Sequence, residues 1–145
     1  MTGGGDGLHL VAHAGSQAFA LPVASVIEVM RPLPARPLPD SPCWLSGLAT
    51  IRGQPVPVIE VAALLGGQRL PATRFITVRA ASRTVALACT AVEGVRFLRT
   101  DGLPPLARAA AADCIASVAR ADGELYAVLE TARLLVGAAL AEPTA

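Results

Sequence analysis

Apolar residues along this chain come in short runs, each cut by glycine, proline or a polar pair before it reaches helical length. "LHLVAHAG" and "QAFALPV" have strand length and β-type composition, and the Gly15-Ser16 pair between them predicts a hairpin turn. "VASVIEVMR", from Val23 to Arg31, combines a short helical turn with a β-rich end. The next segment, "PLPARPLPDSP", carries prolines at 32, 34, 37, 39 and 42. Proline has no amide hydrogen to give a helix or a central strand, so this stretch is an extended connector or a sheet edge. "GLATIR" and "PVPVIEV" then flank Gly53-Gln54, which reads as a two-residue hairpin loop with glycine at its first central position. "EVAALLG" closes the segment as a short helix ended by glycine.

The second half of the chain replays the first. "SQAFALPVASVIEV" from Ser16 lies over "SRTVALACTAVEGV" from Ser82, and "LATIRGQPVPVIEVAALLGG" lies over "VARADGELYAVLETARLLVG" at a constant offset of 70 (123 minus 53). Ala49, Gly53, Val58, Glu60, Ala62, Leu64, Leu65 and Gly67 recur as Ala119, Gly123, Val128, Glu130, Ala132, Leu134, Leu135 and Gly137. A small curled β unit cannot bury its apolar face alone, whereas two packed face to face share a core. The repeat therefore predicts a mainly β chain built from two such halves. Residues 1–7 form a flexible glycine-rich tail, residues 8–140 a single domain, and the chain divides near 66–73, at the polar "GQRLPATR". "RTDGLPPLARAAAADC" is an irregular insertion with a helical turn at "LARAAAA".

Composition narrows the function. With 53% apolar and 16% charged residues the chain is not disordered, and at 145 residues it is long enough for one core without disulfide staples. No run reaches the roughly 18 apolar residues of a membrane span, and "MTGGGDGLHL" has neither the basic nor the apolar region of an export signal, which predicts a cytoplasmic location. A net charge of +1 with interleaved signs leaves no footprint for nucleic acid or an anionic membrane. Cys43, Cys89 and Cys114 are far apart and lack metal spacing; Cys89 and Cys114 read as small buried hydrophobes.

Catalytic patterns do not emerge. His9 and His13 stand four apart on a strand, about 13 Å at ~3.3 Å per residue, too far to chelate one ion together, and read as solvent-facing. There is no nucleophile elbow, P-loop or dinucleotide glycine pattern. Glu60 and Glu130, equivalent in the two halves, read as carboxylates capping a short helix. Arg52 is different, because its counterpart at the offset is Asp122, so the internal symmetry does not require a cation there. At a hairpin tip beside Gly53, its planar five-donor fork suits recognition of a partner's carboxylate or carbonyls.

Taken together, "FALPVASVIEV", the proline-rich connector, "WLSGLATIRGQPVPVIEVAALLG" and "ARADGELYAVLE" resemble CheW-type chemotaxis coupling domains over about Leu8 to Leu135. The resemblance implies two SH3-like five-stranded β-barrels sharing a hydrophobic core, with short helices including one near the C-terminus. It implies a non-enzymatic scaffold with no cofactor, no metal and no membrane insertion, sited at receptor arrays near the inner membrane. It would link the regulatory domain of a CheA-type histidine kinase to the cytoplasmic tips of methyl-accepting chemoreceptors, in chemotaxis or in a twitching-motility or other chemosensory-type pathway. Carried over by residue, Arg52 and Gly53 match the family's hairpin associated with receptor and kinase coupling. Val26 and Glu28 match a segment lining the receptor-binding groove, and Gly47 matches a glycine whose change disturbs kinase binding.

Overall fold

The structure, a computed structural model, describes residues 5–103 and 113–134. Strands β1 (Gly7–Ala14) and β2 (Gln17–Pro22) form the first hairpin, with Ala14 opposite Gln17 across the Gly15-Ser16 turn, as the sequence predicts. A 3-10 turn at Val23–Ser25 leads into β3 (Val26–Met30), and the proline connector runs extended to β4 (Leu45–Ile51) and β5 (Gln54–Glu60). Helix α1 (Val61–Leu64) is a single turn followed by Gly66 at φ 96. The second series is β6 (Arg74–Ala80), β7 (Arg83–Cys89), β8 (Ala91–Leu98), β9 (Thr100–Gly102), β10 (Ile115–Ala121) and β11 (Glu124–Leu129), closed by a 3-10 turn at Thr131–Arg133. The helical turn expected at "LARAAAA" lies outside the described residues, and the helical element described near the C-terminus is the 3-10 turn at Thr131–Arg133.

The strands make a six-stranded sheet, β8-β1-β2-β11-β10-β9, and a five-stranded sheet, β3-β6-β7-β5-β4. The mainly β class holds; the sixth strand is β9, three residues of the insertion paired to β10 through Ser117 and Gly102. The sequence repeat is also real in space. β4 and β10 occupy 45–51 and 115–121, and the parallel pairs β5 with β7 and β11 with β2 are equivalent joins in the two sheets.

The two sheets are nevertheless not consecutive halves of the chain. The five-stranded sheet is drawn from residues 26–89, while the six-stranded sheet joins residues 7–22 to residues 91–129. Each half lends its first hairpin, β1-β2 or β6-β7, to the sheet completed by the other half. A split near 66–73 follows the repeat in sequence but cuts through the five-stranded sheet.

Strands β2 and β7 are buried on both faces, and in them large residues alternate with small ones. Phe19 and Leu21 of β2, with Val85 and Leu87 of β7, point into a central core between the sheets. Ala18 and Ala20 face the interior of the six-stranded barrel, and Ala86 and Ala88 that of the five-stranded one. These alanines leave room inside the barrels for larger side chains from neighbouring strands, Tyr126 in one and Phe75 in the other. Cys89 and Cys114 both lie in the central core, as expected, and burial pushes each thiol up to about 11.

Candidate functional site

The β4-β5 hairpin turns on Arg52 and Gly53, with φ 52 and φ 79, and Ile51 pairs with Gln54. Two successive positive φ values are the signature of a type I′ turn, whose twist matches that of the strands it joins. The loop is thus one residue earlier than the Gly53-Gln54 reading, because Gln54 is needed to close the ladder. Pro55 and Pro57 are tolerated in β5 because β7 pairs with it only from Val58 to Glu60, while Leu48, opposite Pro57, bonds its backbone to Arg36.

At that tip Arg52 is 75% exposed, and its Nη2 donates to both carboxylate oxygens of Glu28 at 2.8 and 2.7 Å. Glu28 belongs to β3, the opposite edge strand of the same sheet, so the ion pair bridges the open side where the sheet curls round. Exposed pairs of this kind contribute at most about 1 kcal/mol, so its main effect is to fix where the guanidinium points. Beneath it lies a pocket of about 200 Å³ lined by Ile27, Ile51, Val56, Thr77 and Thr84, with the Arg52–Glu28 pair on its rim. Ile27 reaches the pocket because it is the bulged residue of β3: Val26 pairs with Val78 and Glu28 with Thr77, leaving Ile27 unpaired between them. Bulges turn a side chain out of the regular alternation, a signal that no local sequence pattern carries.

Of the remaining predicted residues, Val26 lies two positions before Glu28 and packs against the central core. Gly47 is at the far end of β4 and does not join the Arg52 cluster. Its φ is 140, and a Cβ there would lie 2.0 Å from the carbonyl oxygen of Arg36 and 2.9 Å from the Cα of Pro37. The missing side chain lets the proline connector lie against β4, held by Arg36 N to Leu48 O at 2.7 Å and Leu48 N to Arg36 O at 2.9 Å.

The equivalent hairpin in the other barrel, β10-β11, has the same turn at Asp122 and Gly123, with φ 52 and φ 78. There the polarity is reversed: Asp122 Oδ2 accepts from Arg96 Nη2 of edge strand β8 at 2.7 Å, and this bond holds the Arg96 guanidinium more firmly protonated than usual. Each hairpin tip is therefore tied to the far edge of its own sheet by an ion pair of opposite sense. This barrel end contains buried Tyr126, whose hydroxyl donates to Glu124 Oε1 at 3.2 Å. Burial first, and then Glu124, raise the phenol above its ordinary range.

Three sequence readings are corrected here. His9 is buried, with Nδ1 donating to Gly7 O at 2.9 Å, because β1 is covered on both faces. His13 is not a free solvent-facing side chain; its ring lies between Glu93 and Glu124. Glu60 and Glu130 sit at helix N-caps as predicted, yet neither makes a side-chain capping bond; Glu130 pairs with Arg133 instead.

Among the described residues no helix is long and apolar enough to cross a membrane. The family model of the CheW-like domain matches residues 9–139. The chain is 29% identical over 108 residues to Chemotaxis protein CheW of Rhizobium meliloti, covering 72% of this chain and 69% of that one. It is 30% identical over 119 residues to Protein FrzA of Myxococcus xanthus, covering 79% and 74%. The fold is similar to that of the scaffolding protein TtCheW from Thermoanaerobacter tengcongensis, with a TM-score of 0.75 at 19% identity over 86% of this chain and 89% of that one.

Proposed function

Because the chain belongs to the CheW-like domain family, we propose that it is a non-enzymatic adaptor coupling chemoreceptors to a CheA-type histidine kinase. The observation that carries the site is the Arg52–Glu28 pair on the rim of an open pocket. The turn makes the guanidinium available, the carboxylate orients it, and the pocket beside it can accept an apolar side chain of a partner. Recognition by an oriented charge next to an apolar recess combines specificity with buried area. Arg52, Gly53, Glu28 and Val26 are assigned to partner contact. Gly47 is assigned a positioning role, through the connector it admits.

Signal passes through such an adaptor as a change in the relative pose of two bound proteins, with no chemical step of its own. Its working location is the receptor array at the inner membrane, reached through protein contacts. A second reading is the same adaptor role in a twitching-motility or other chemosensory-type pathway; the likeness to Protein FrzA of Myxococcus xanthus shows that the relatives are not all named CheW.

The test is co-sedimentation with receptor and kinase assemblies, together with kinase activation. Arg52→Glu is expected to lower both while the circular dichroism spectrum is retained, since losing an exposed ion pair costs at most about 1 kcal/mol. Unchanged coupling by a folded Arg52→Glu protein overturns the assignment of Arg52. Failure of the wild-type chain to join any such assembly overturns the adaptor reading.

A further inference from the structure

In the six-stranded sheet His13 lies between two glutamates from neighbouring elements. Nδ1 of His13 is 3.1 Å from Glu93 Oε2, and Nε2 is 3.1 Å from Glu124 Oε2. One ligand atom from each residue lies within 4.8 Å of the others. A neutral imidazole offers one ring nitrogen as a metal ligand, and the two glutamates supply anionic oxygens that attract a dication.

From this geometry we propose that His13, Glu93 and Glu124 form a binding site for a divalent transition-metal ion. The imidazole-plus-carboxylate set favours borderline metals, with Zn²⁺ foremost and Ni²⁺ a suitable probe, over Ca²⁺ or Mg²⁺, which prefer oxygen alone. Three protein ligands leave one tetrahedral position for water. Zinc–ligand bonds of about 2.0 to 2.1 Å put donor atoms roughly 3.3 Å apart, less than the 4.8 Å that spans the three atoms here, so binding draws one glutamate round the ring toward the ligating nitrogen.

Three further observations show that the cluster is built rather than incidental. Glu93 is the bulged residue of β8: Val11 pairs with Gly94 and Ala12 with Val92, so Glu93 is released from the ladder beside His13. Glu124 is held by the hydroxyl of Tyr126, itself 1% exposed, which engages Oε1 and leaves Oε2 toward His13. Outer hydrogen bonds of this kind orient metal-binding carboxylates. The duplicated barrel supplies an internal control. At the repeat offsets of 66 and 70, His13, Glu93 and Glu124 correspond to Arg79, Ile27 and Gln54, which cannot hold a metal together. The fold itself does not call for the triad.

A bound ion would join β1, β8 and β11, tying an edge strand of the six-stranded sheet to the hairpin that carries Asp122. The experiment is calorimetric titration of the full chain with Zn²⁺ and Ni²⁺ as chloride salts, paired with thermal melts, in a Cys43→Ser background that removes the exposed thiol. One-to-one binding is expected, with the melting temperature raised by roughly 5 to 10 °C at a hundredfold excess over the dissociation constant. His13→Asn and the exposed-site variant Glu93→Gln should each lose at least tenfold in affinity, and Ca²⁺ should give no shift. Absence of submillimolar one-to-one binding by either metal overturns the proposal. So does equal binding by a folded Glu93→Gln or His13→Asn protein.

Discussion

Replacing Gly47 with alanine tests how the connector is attached. The new Cβ would sit 2.0 Å from the Arg36 carbonyl oxygen and 2.5 Å from its carbon. Both are backbone atoms, so no side-chain rotation relieves the overlap; either the connector lifts or β4 shifts. If the connector lifts, the two bonds between Arg36 and Leu48 are lost, at about 0.5 to 1.5 kcal/mol each. A residue with a Cβ at φ 140 adds strain of about 1 to 3 kcal/mol. The total is about 2 to 6 kcal/mol, a large share of the roughly 5 to 15 kcal/mol that holds a typical domain folded. Trp44, the only tryptophan, lies just before Gly47 and packs against the central core, so its fluorescence follows the region concerned. With a urea slope of about 2 kcal/mol per molar, the unfolding midpoint should fall by roughly 1 to 3 M. A fall under about 0.3 M would refute the claim that this glycine is required by close backbone approach. Under conditions where the variant remains folded, partner coupling should still weaken, because the altered connector changes the surface presented.

Arg52→Asn separates turn geometry from recognition. Asparagine suits the first position of a type I′ turn better than arginine, which offsets the lost surface pair. Stability should stay level or rise by up to about 1 kcal/mol by chemical denaturation while co-sedimentation weakens, and a loss of more than about 1 kcal/mol would contradict the turn assignment. In native protein a disulfide-exchange reagent should label Cys43 alone, with Cys89 and Cys114 reacting only after denaturation. Both buried thiols sit at about 11 against 9.0 for the free group, so the folded state retains protons that the unfolded chain releases. Stability is accordingly full below pH 9 and lost as pH rises through 11, by roughly 2 to 3 kcal/mol per thiol; Cys89→Ala should remove about half of that slope in alkaline unfolding titrations.

Local chemistry made much of this fold readable. The Gly15-Ser16 turn, the proline connector and the glycine after α1 are each dictated by a backbone preference within a few residues. The repeat was readable too, since equivalent strands need equivalent residues. Its spatial use was not, because nothing in the β1-β2 hairpin states which half of the chain will pair with it. Arg52 stood out through the broken symmetry with Asp122, but its partner Glu28 comes to it by the curling of the sheet. The His13 cluster depends on a bulge at Glu93 and a strand 111 residues away, and so was invisible to any local pattern. The misplaced Gly53-Gln54 loop reflects a choice between two turn types that both accept a glycine, decided by the register of the flanking strands.

The exchanged hairpins also set the order in which a growing chain can fold. The five-stranded sheet is complete once residue 89 has left the ribosome, whereas β1 and β2, made first, wait for β8 to β11. Until then the large apolar side chains of the opening hairpin must rest on the finished sheet or remain open to other contacts. Such long-range closure slows folding and lengthens exposure to aggregation. It also predicts that a chain truncated within β10 yields a folded first barrel with an unfinished, adhesive hairpin attached, a species for chaperones to hold rather than half of a working adaptor.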